Sequence, residues 1–236
     1  MRRAAFIVLA GIALLAATPA VAATKGLGLS SDVVRTALIL TLLAVIPSIL
    51  ICMTSFVRIV VVLSMVRHAF GMPETPPNPV LVSLALFLTA FTMAPTLGAL
   101  NTGAIQPLLS NRITVEQAMA NGTAPLRDFM LAQTRDSDIE AIYAIAHATP
   151  PERPDQVDIL KLAPAFMLNE LRVSFTIGFV ILLPFLLIDL VVSAILLALG
   201  MMMVPPATIS LPIKLLMFVL IDGWSLIIQG VLGSFK

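Results

Sequence analysis

Four apolar runs, separated by short polar stretches and punctuated by proline, organise this chain. Residues 36–57 are uncharged and long enough for a membrane span, which needs about 20 residues. Ser30, Ser31 and Asp32 are N-cap candidates ahead of it, and Pro47 predicts a kink inside it. The apolar run continues through Arg58 to Val66, where Arg67 and His68 close it. Gly71, Pro73, Pro76, Pro77 and Pro79 then predict a rigid turn. Residues 80–100 form the second run, with Pro95 near its end. The third is uncharged over 173–188 and continues past Asp189 to Leu199, with a kink predicted at Pro184. The fourth covers 207–232, with a kink site at Pro212 and a weak point at Gly223.

Residues 101–165 have a different character, with five basic and eight acidic side chains and a net charge of −3. Two capping boxes, Thr114-x-x-Gln117 and Ser137-x-x-Glu140, predict helix starts. Gly122 is suited to ending the first short helix and Pro125 to starting the next, while Pro150, Pro151 and Pro154 break a third. The predicted fold is therefore an all-α membrane protein, with two kinked helical hairpins flanking a small helical insert. The first hairpin occupies 24–100, the insert 101–165 and the second hairpin 166–236.

Composition supports the membrane assignment. Apolar residues make up 59% of the chain and charged residues 11%, against roughly 45–50% and 25% in soluble domains. A formal charge of +1 leaves no nucleic-acid footprint, and the single Cys52 excludes a disulfide framework. Residues 1–23 have the form of a cleavable signal peptide: Arg2 and Arg3, a short apolar stretch, Pro19, then small residues with cleavage after Ala22 or Ala23. Export of the mature N-terminus would place the turns at 67–79 and 200–206 inside the cell and the insert outside, on the periplasmic side of a bacterial inner membrane. Arg58, Arg67 and His68 near the first inner turn agree with that orientation.

The stretch 200–224 is the most distinctive. Met201, Met202 and Met203 stand in a row before Val204 and the pair Pro205-Pro206. Pro206 suits the first turn of a helix, and it drives Pro205 out of the α region. The local pattern is helix, methionine turn, helix, with Pro76 and Pro77 marking the equivalent turn of the first hairpin. The methionines either form an adaptable tip or fill a core.

Arg58, Asp189, Lys214 and Asp222 lie inside apolar helices, where each would cost roughly 2.5–3.5 kcal/mol at a bilayer centre. They are read as structural salt-bridge partners; a proton pathway is the alternative. No nucleotide loop, zinc-protease motif or nucleophile elbow is present, and His68 and His147 stand apart from any ligand cluster, so no enzyme activity, cofactor or metal is expected. Prolines in every apolar helix suggest packing mainly against protein.

Several strings resemble the FliP family of flagellar type III export-gate proteins. They are Ser55-Phe56-x-Arg58-Ile59, Thr75-Pro76-Pro77-Asn78, Pro125-Leu126-Arg127-x-Phe129-Met130, Pro184-Phe185-Leu186-x-Ile188-Asp189-Leu190 and the block 200–224. The resemblance implies a pentameric ring assembled with FliQ and FliR, associated with FlhB and FlhA, through which unfolded flagellar subunits are secreted. It also implies that the loop at Met201, Met202 and Met203 rings the pore as a gasket, and that much of the assembly is raised out of the membrane. The related subunit of virulence injectisomes is an alternative; the signal peptide and sizeable insert favour the flagellar branch. A proton-coupled secondary transporter using Asp189, Lys214 and Asp222 is the rival from a different class, although the two hairpins share no evident repeat.

If the leader is removed, mass spectrometry of the mature protein will show a terminus near Ala23 or Thr24. An intact Met1 or Arg2 terminus would count against the export route.

Overall fold

The computed structural model describes residues 51–71, 74–151 and 153–235, together with Thr36, Leu40 and Ala44 as isolated helical positions. The signal peptide, the caps at Ser30, Ser31 and Asp32, and Pro47 lie outside the described residues. The chain divides after Leu50 into two units, and the architecture below is that of the second.

All its regular elements are helical. In chain order they are α1 (Phe56–Ala69), α2 (Asn78–Thr92), α3 (Ala94–Leu100), a π-helical turn (Asn101–Ile105), α4 (Gln106–Leu109), α5 (Val115–Gln133), α6 (Asp136–Ile145), a 3-10 turn (Pro154–Gln156), α7 (Ile159–Ala198), α8 (Pro206–Leu220) and α9 (Gly223–Leu232).

The spine is α7. Its 40 residues extend about 60 Å at 1.5 Å per residue, twice the roughly 30 Å of a bilayer's hydrocarbon core. Lys161, Glu170 and Arg172 fall in its first 14 residues, and Asp189 is the one charge in the remainder. One helix therefore serves two different cores. Its first part packs Leu162, Ala165 and Phe166 against Met130 of α5 and Ile139 and Tyr143 of α6. Farther along, Phe185 joins a second core made by Ile59, Val62, Leu63 and Val66 of α1, Leu81, Ala85 and Leu88 of α2, Phe218 of α8, and Ile227 and Val231 of α9. The α1 positions recur at three and four residues, the spacing of one buried helical stripe. At the crossing of α1 and α7, a Cβ on Gly178 would lie 2.3 Å from the Met65 sulfur, so the Met65 side chain packs into the space that the glycine leaves.

The start of α7 is secured by Asp158. Its carboxylate accepts from the Leu160 N–H at 3.1 Å and pairs with Lys161 at 2.8 Å. The Lys161 hydrogen bond first, then the backbone one, hold its carboxyl below the usual range. Tyr143 reaches across from α6 to accept the Asp158 backbone N–H at 3.1 Å. The far end of α7 closes in a Schellman motif: Gly200 is left-handed at φ +72°, Met201 N–H donates to Leu196, and Gly200 N–H donates to Leu197.

Several sequence expectations are corrected. The second and fourth apolar runs are not single kinked helices but bent pairs: 65° between Asn78–Thr92 and Ala94–Leu109, and 67° between Pro206–Leu220 and Gly223–Leu232. Pro95 sits in the first turn of α3, where its missing N–H costs nothing, and the break falls just before it at Met93. Among the described residues one helix is long and apolar enough to cross a membrane, or up to three if each bent pair counts as one span.

Gly122 and Pro125 do not separate two helices, because α5 runs unbroken through both. Gly122 is buried where a Cβ would touch Leu100 and Ala104, which makes it a packing contact rather than a stop. The Thr114–Gln117 capping box is formed, with both reciprocal hydrogen bonds. The one proposed at Ser137 is not: α6 begins two residues earlier, with Arg135 at its N-cap position, and Asp138 forms a bidentate pair with Arg172 of α7 at 2.7 Å for both bonds.

The α8–α9 break depends on Gly223. An added Cβ would stand 2.1 Å from the Phe218 ring, which is held edge-on by Phe70 and Trp224. Gly223→Ala is expected to displace that ring and destabilise the protein by about 1–3 kcal/mol, the usual cost of overpacking. Thermal unfolding of the purified variant against Gly230→Ala, where nothing lies within 4 Å of the added carbon, measures the difference.

Candidate functional site

Two ionic clusters, one buried and one partly exposed, and one exposed tip hold most of the residues singled out by the sequence.

The first cluster surrounds Arg58, which is 1% exposed. Its partner is Glu170, 0% exposed and 112 residues away in sequence. Arg58 Nε donates to one Glu170 oxygen at 2.8 Å, and Nη2 donates to the other, a two-pronged contact. Nη1 donates to the Ser234 carbonyl at 2.8 Å and to its hydroxyl at 3.0 Å, Nη2 donates to Gln133 Oε1 at 3.4 Å, and the guanidinium lies 3.9 Å from the centre of the Phe235 ring. Asn169 donates to the Gln133 carbonyl at 2.5 Å, and Ser174 donates to the Glu170 carbonyl at 2.6 Å. The network joins α1, α5, α7 and the C-terminal segment.

Sequence reasoning missed Glu170, because it lies near the border of the acid-rich insert and was counted with neither apolar run. A signal for it existed. A buried guanidinium requires an equally buried anion, and Glu170 sits four residues from both Phe166 and Ser174, on the buried stripe of α7.

The second cluster unites α7, α8 and the end of α1. Lys214 Nζ donates to Asp189 Oδ2 at 2.6 Å and to the Ala69 carbonyl at 3.2 Å. Lys214 is buried, while the Asp189 side chain is 41% exposed. Asp189 against Lys214 and Phe185 against Phe218 keep one antiparallel register, so α8 folds back along α7 about a turn near 201 and 202.

Asp222 does not join this cluster. It lies eight residues beyond Lys214, about 12 Å along a helix, at the bend between α8 and α9. Its side chain is exposed and makes no cap hydrogen bond.

The prolines mark helix starts. Pro77 is the N-cap of α2, and the Pro76 carbonyl accepts from Arg67 at 3.4 Å while Arg67 also reaches Asn78 at 2.5 Å. Pro205 is extended at the N-cap of α8, and Pro206 is its first residue. His147 is left-handed at the C-terminal end of α6, where its N–H donates to Ala144. Among the described residues no three His, Cys, Asp or Glu side chains gather to hold a metal ion.

Between these helix ends lie the methionines. Met201 is 44% exposed, Met202 78% and Met203 95%, so in the single chain they are a projecting apolar tip rather than core.

Fold and site together define an all-helical membrane protein whose charges are paired inside and whose longest helix ends in an exposed methionine turn. A family model described as the FliP family matches residues 39–231, and the chain belongs to that family. It is similar to proteins named flagellar biosynthetic protein FliP from several bacteria. The Pectobacterium carotovorum protein is 48% identical over 86% of this chain and 78% of its own length. The Bacillus subtilis protein is 46% identical over 87% and 93%. The Caulobacter vibrioides protein is 44% identical over 100% and 92%.

Arg58→Ala should strand Glu170 in the core and cost about 3–5 kcal/mol, the range for breaking a buried ion pair. Arg58→Met combined with Glu170→Leu should recover much of that loss. Yield and melting temperature of the three purified proteins test this; a double variant no better than the single one would mean that the other hydrogen bonds of Arg58, not its charge, carry the effect.

Proposed function

We propose that this chain is a core subunit of the flagellar type III protein export gate. In this reading it forms a homo-oligomeric ring, pentameric by the family resemblance. With FliQ and FliR the ring encloses the pore through which unfolded flagellar subunits leave the cell, and FlhB and FlhA associate with it. The chain resides in the bacterial inner membrane and basal body, as paired helical hairpins with residues 101–165 on the periplasmic side.

One observation carries the reading: three consecutive methionines project from the turn between α7 and α8, the last of them 95% exposed. A long apolar side chain facing outward needs a partner in the assembly. A ring brings the same tip to the axis from every copy, and a hydrophobic constriction closes a pore by excluding water and ions. Methionine suits a seal that must deform around many different chains, because its thioether is flexible and polarisable. The turn's ends are held while its side chains move: Gly200 closes α7 and Pro206 opens α8. Arg58, Asp189 and Lys214 act as structural charges that hold the tip's supporting helices in register. A proton relay through Asp189, Lys214 and Asp222 gains no support from the geometry, since Asp222 is remote from the pair.

Replacing Met201, Met202 and Met203 together with alanine is expected to leave the complex assembled and to let small ions or solutes leak across the membrane. Replacement with leucine should seal but slow secretion. Membrane leak and secretion of flagellar subunits are measured in cells making each variant. An assembled triple-alanine complex with no leak and normal secretion would place the gate elsewhere.

A further inference from the structure

We propose that the turn between α4 and α5 of one copy docks into an acidic groove beside α6 of the next copy, with Arg112 seated against Asp136 and Glu140. The inference rests on the ring proposed above but not on the methionine gate.

Arg112 stands on a turn that is held at both ends. Before it, α4 closes in a Schellman motif: Asn111 is left-handed at φ +54°, its N–H donates to the Leu108 carbonyl at 3.0 Å, and the Arg112 N–H donates to the Pro107 carbonyl at 2.9 Å. After it, Thr114 caps α5 through its reciprocal bonds with Gln117. Arg112 is exposed, and its side chain makes no hydrogen bond or ion pair among the described residues, with Glu116 of the first turn of α5 or with any other group. Leu109 and Val115, which flank the turn, and Met119, one helical turn farther on, are apolar and also exposed.

The groove lies at the other end of α5. Its volume is about 210 Å³, and it is lined by Leu131, Ile139 and Val157, by three prolines of the loop after α6, and by Asp136 and Glu140. The two carboxylates are four residues apart and share one face of α6. Asp138 between them is spent on Arg172, whereas Asp136 and Glu140 are exposed and make no side-chain hydrogen bond or ion pair among the described residues, with the adjacent Arg135 or with any other group. An apolar lining with an acidic rim suits a long cationic side chain, which lays its hydrocarbon stem on the lining and its charge at the rim.

The two surfaces cannot meet within one chain. Leu131 lies 16 residues beyond Val115, about 24 Å along α5, well past the reach of an arginine. Both belong to the insert at 101–165, so copies standing side by side present them at the same level. Complementary surfaces at opposite ends of one helix make a head-to-tail contact, the kind that generates a ring when its rotation closes.

The competing explanation is that these are ordinary solvated charges. Affinity-tagged full-length protein, with Cys52 replaced by alanine, is purified from flagellated cells and treated with a short bismaleimide crosslinker. Chains carrying both Arg112→Cys and Glu140→Cys are expected to give a ladder of linked multimers. Either single variant alone should stay unlinked, and co-expression of the two singles should stop at dimers, the signature of a head-to-tail contact. In a second arm, Asp136→Lys with Glu140→Lys is expected to lower recovery of the assembled complex about fivefold or more, and Arg112→Glu in the same chain to restore it. An assembled ring whose doubly substituted chains give no multimers would overturn the proposal and leave the ring standing. Dimers from Arg112→Cys alone would also overturn it, since they mark a two-fold contact. A loss of assembly that Arg112→Glu does not repair would overturn it too and assign the groove to another protein. A wild-type chain that purifies as a monomer would remove the ring and this contact together.

Discussion

The pairing of Arg58 with Glu170 is the constraint on which the remaining structure depends. A guanidinium and a carboxylate, each with essentially no access to solvent, cannot be left uncompensated in an apolar interior: even after relaxation, each ion loses several kcal/mol of hydration. The two-pronged contact offsets this only because the remaining donors of Arg58 are also satisfied, by Ser234 and Gln133, with Phe235 covering the face of the guanidinium. Meeting all these demands brings α1, α5, α7 and the chain's C-terminal segment to one point. Such a pair adds little net stability over a well-packed apolar replacement, but it penalises every alternative register of α1 on α7, since any slip would strand two charges.

From that point the influence of α7 runs in both directions. Toward its start, Arg172 grips Asp138 and fixes α6, and Asp158 caps the helix against Tyr143. Toward its end, Asp189 receives Lys214, and Phe70 meets both Phe185 and Phe218 edge to face. Lys214 also reaches the Ala69 carbonyl at the last turn of α1, where the helix dipole favours a cation. The methionine turn is therefore mounted on two helices whose relative position is set by an ion pair and an aromatic cluster.

The outer surface has the complementary character. Leu86, Phe87 and Phe91 on α2, Leu187, Leu190 and Ile195 on α7, and Val219 and Leu220 on α8 are all exposed in the single chain. Apolar area of this extent calls for lipid or protein neighbours. The bends at Met93 and Asp222 mean that such neighbours meet broken helices.

Much of this was legible in the sequence, because it rests on local physics. The apolar runs at 80–100, 173–199 and 207–232 marked helical stretches though not their breaks, the Pro205-Pro206 pair located the start of α8, and Thr114 with Gln117 capped α5 through contacts only three residues apart. The motif strings were specific enough to indicate the family. Tertiary structure decided what local signals leave ambiguous. Pro125 stays within a helix because that helix is packed along its length, with Gly122 set against Leu100 and Ala104. Ser137 has no capping role because α6 already begins at Asp136, and Asp138 beside it pairs with Arg172 of another element. Asp222, one of four charges within the apolar runs, stands at the bend eight residues beyond Lys214 and stays out of its ion pair. Arg58 announced in sequence that it needed a partner, but Glu170 lies 112 residues away, and only the folding of α1 onto α7 brings the two together.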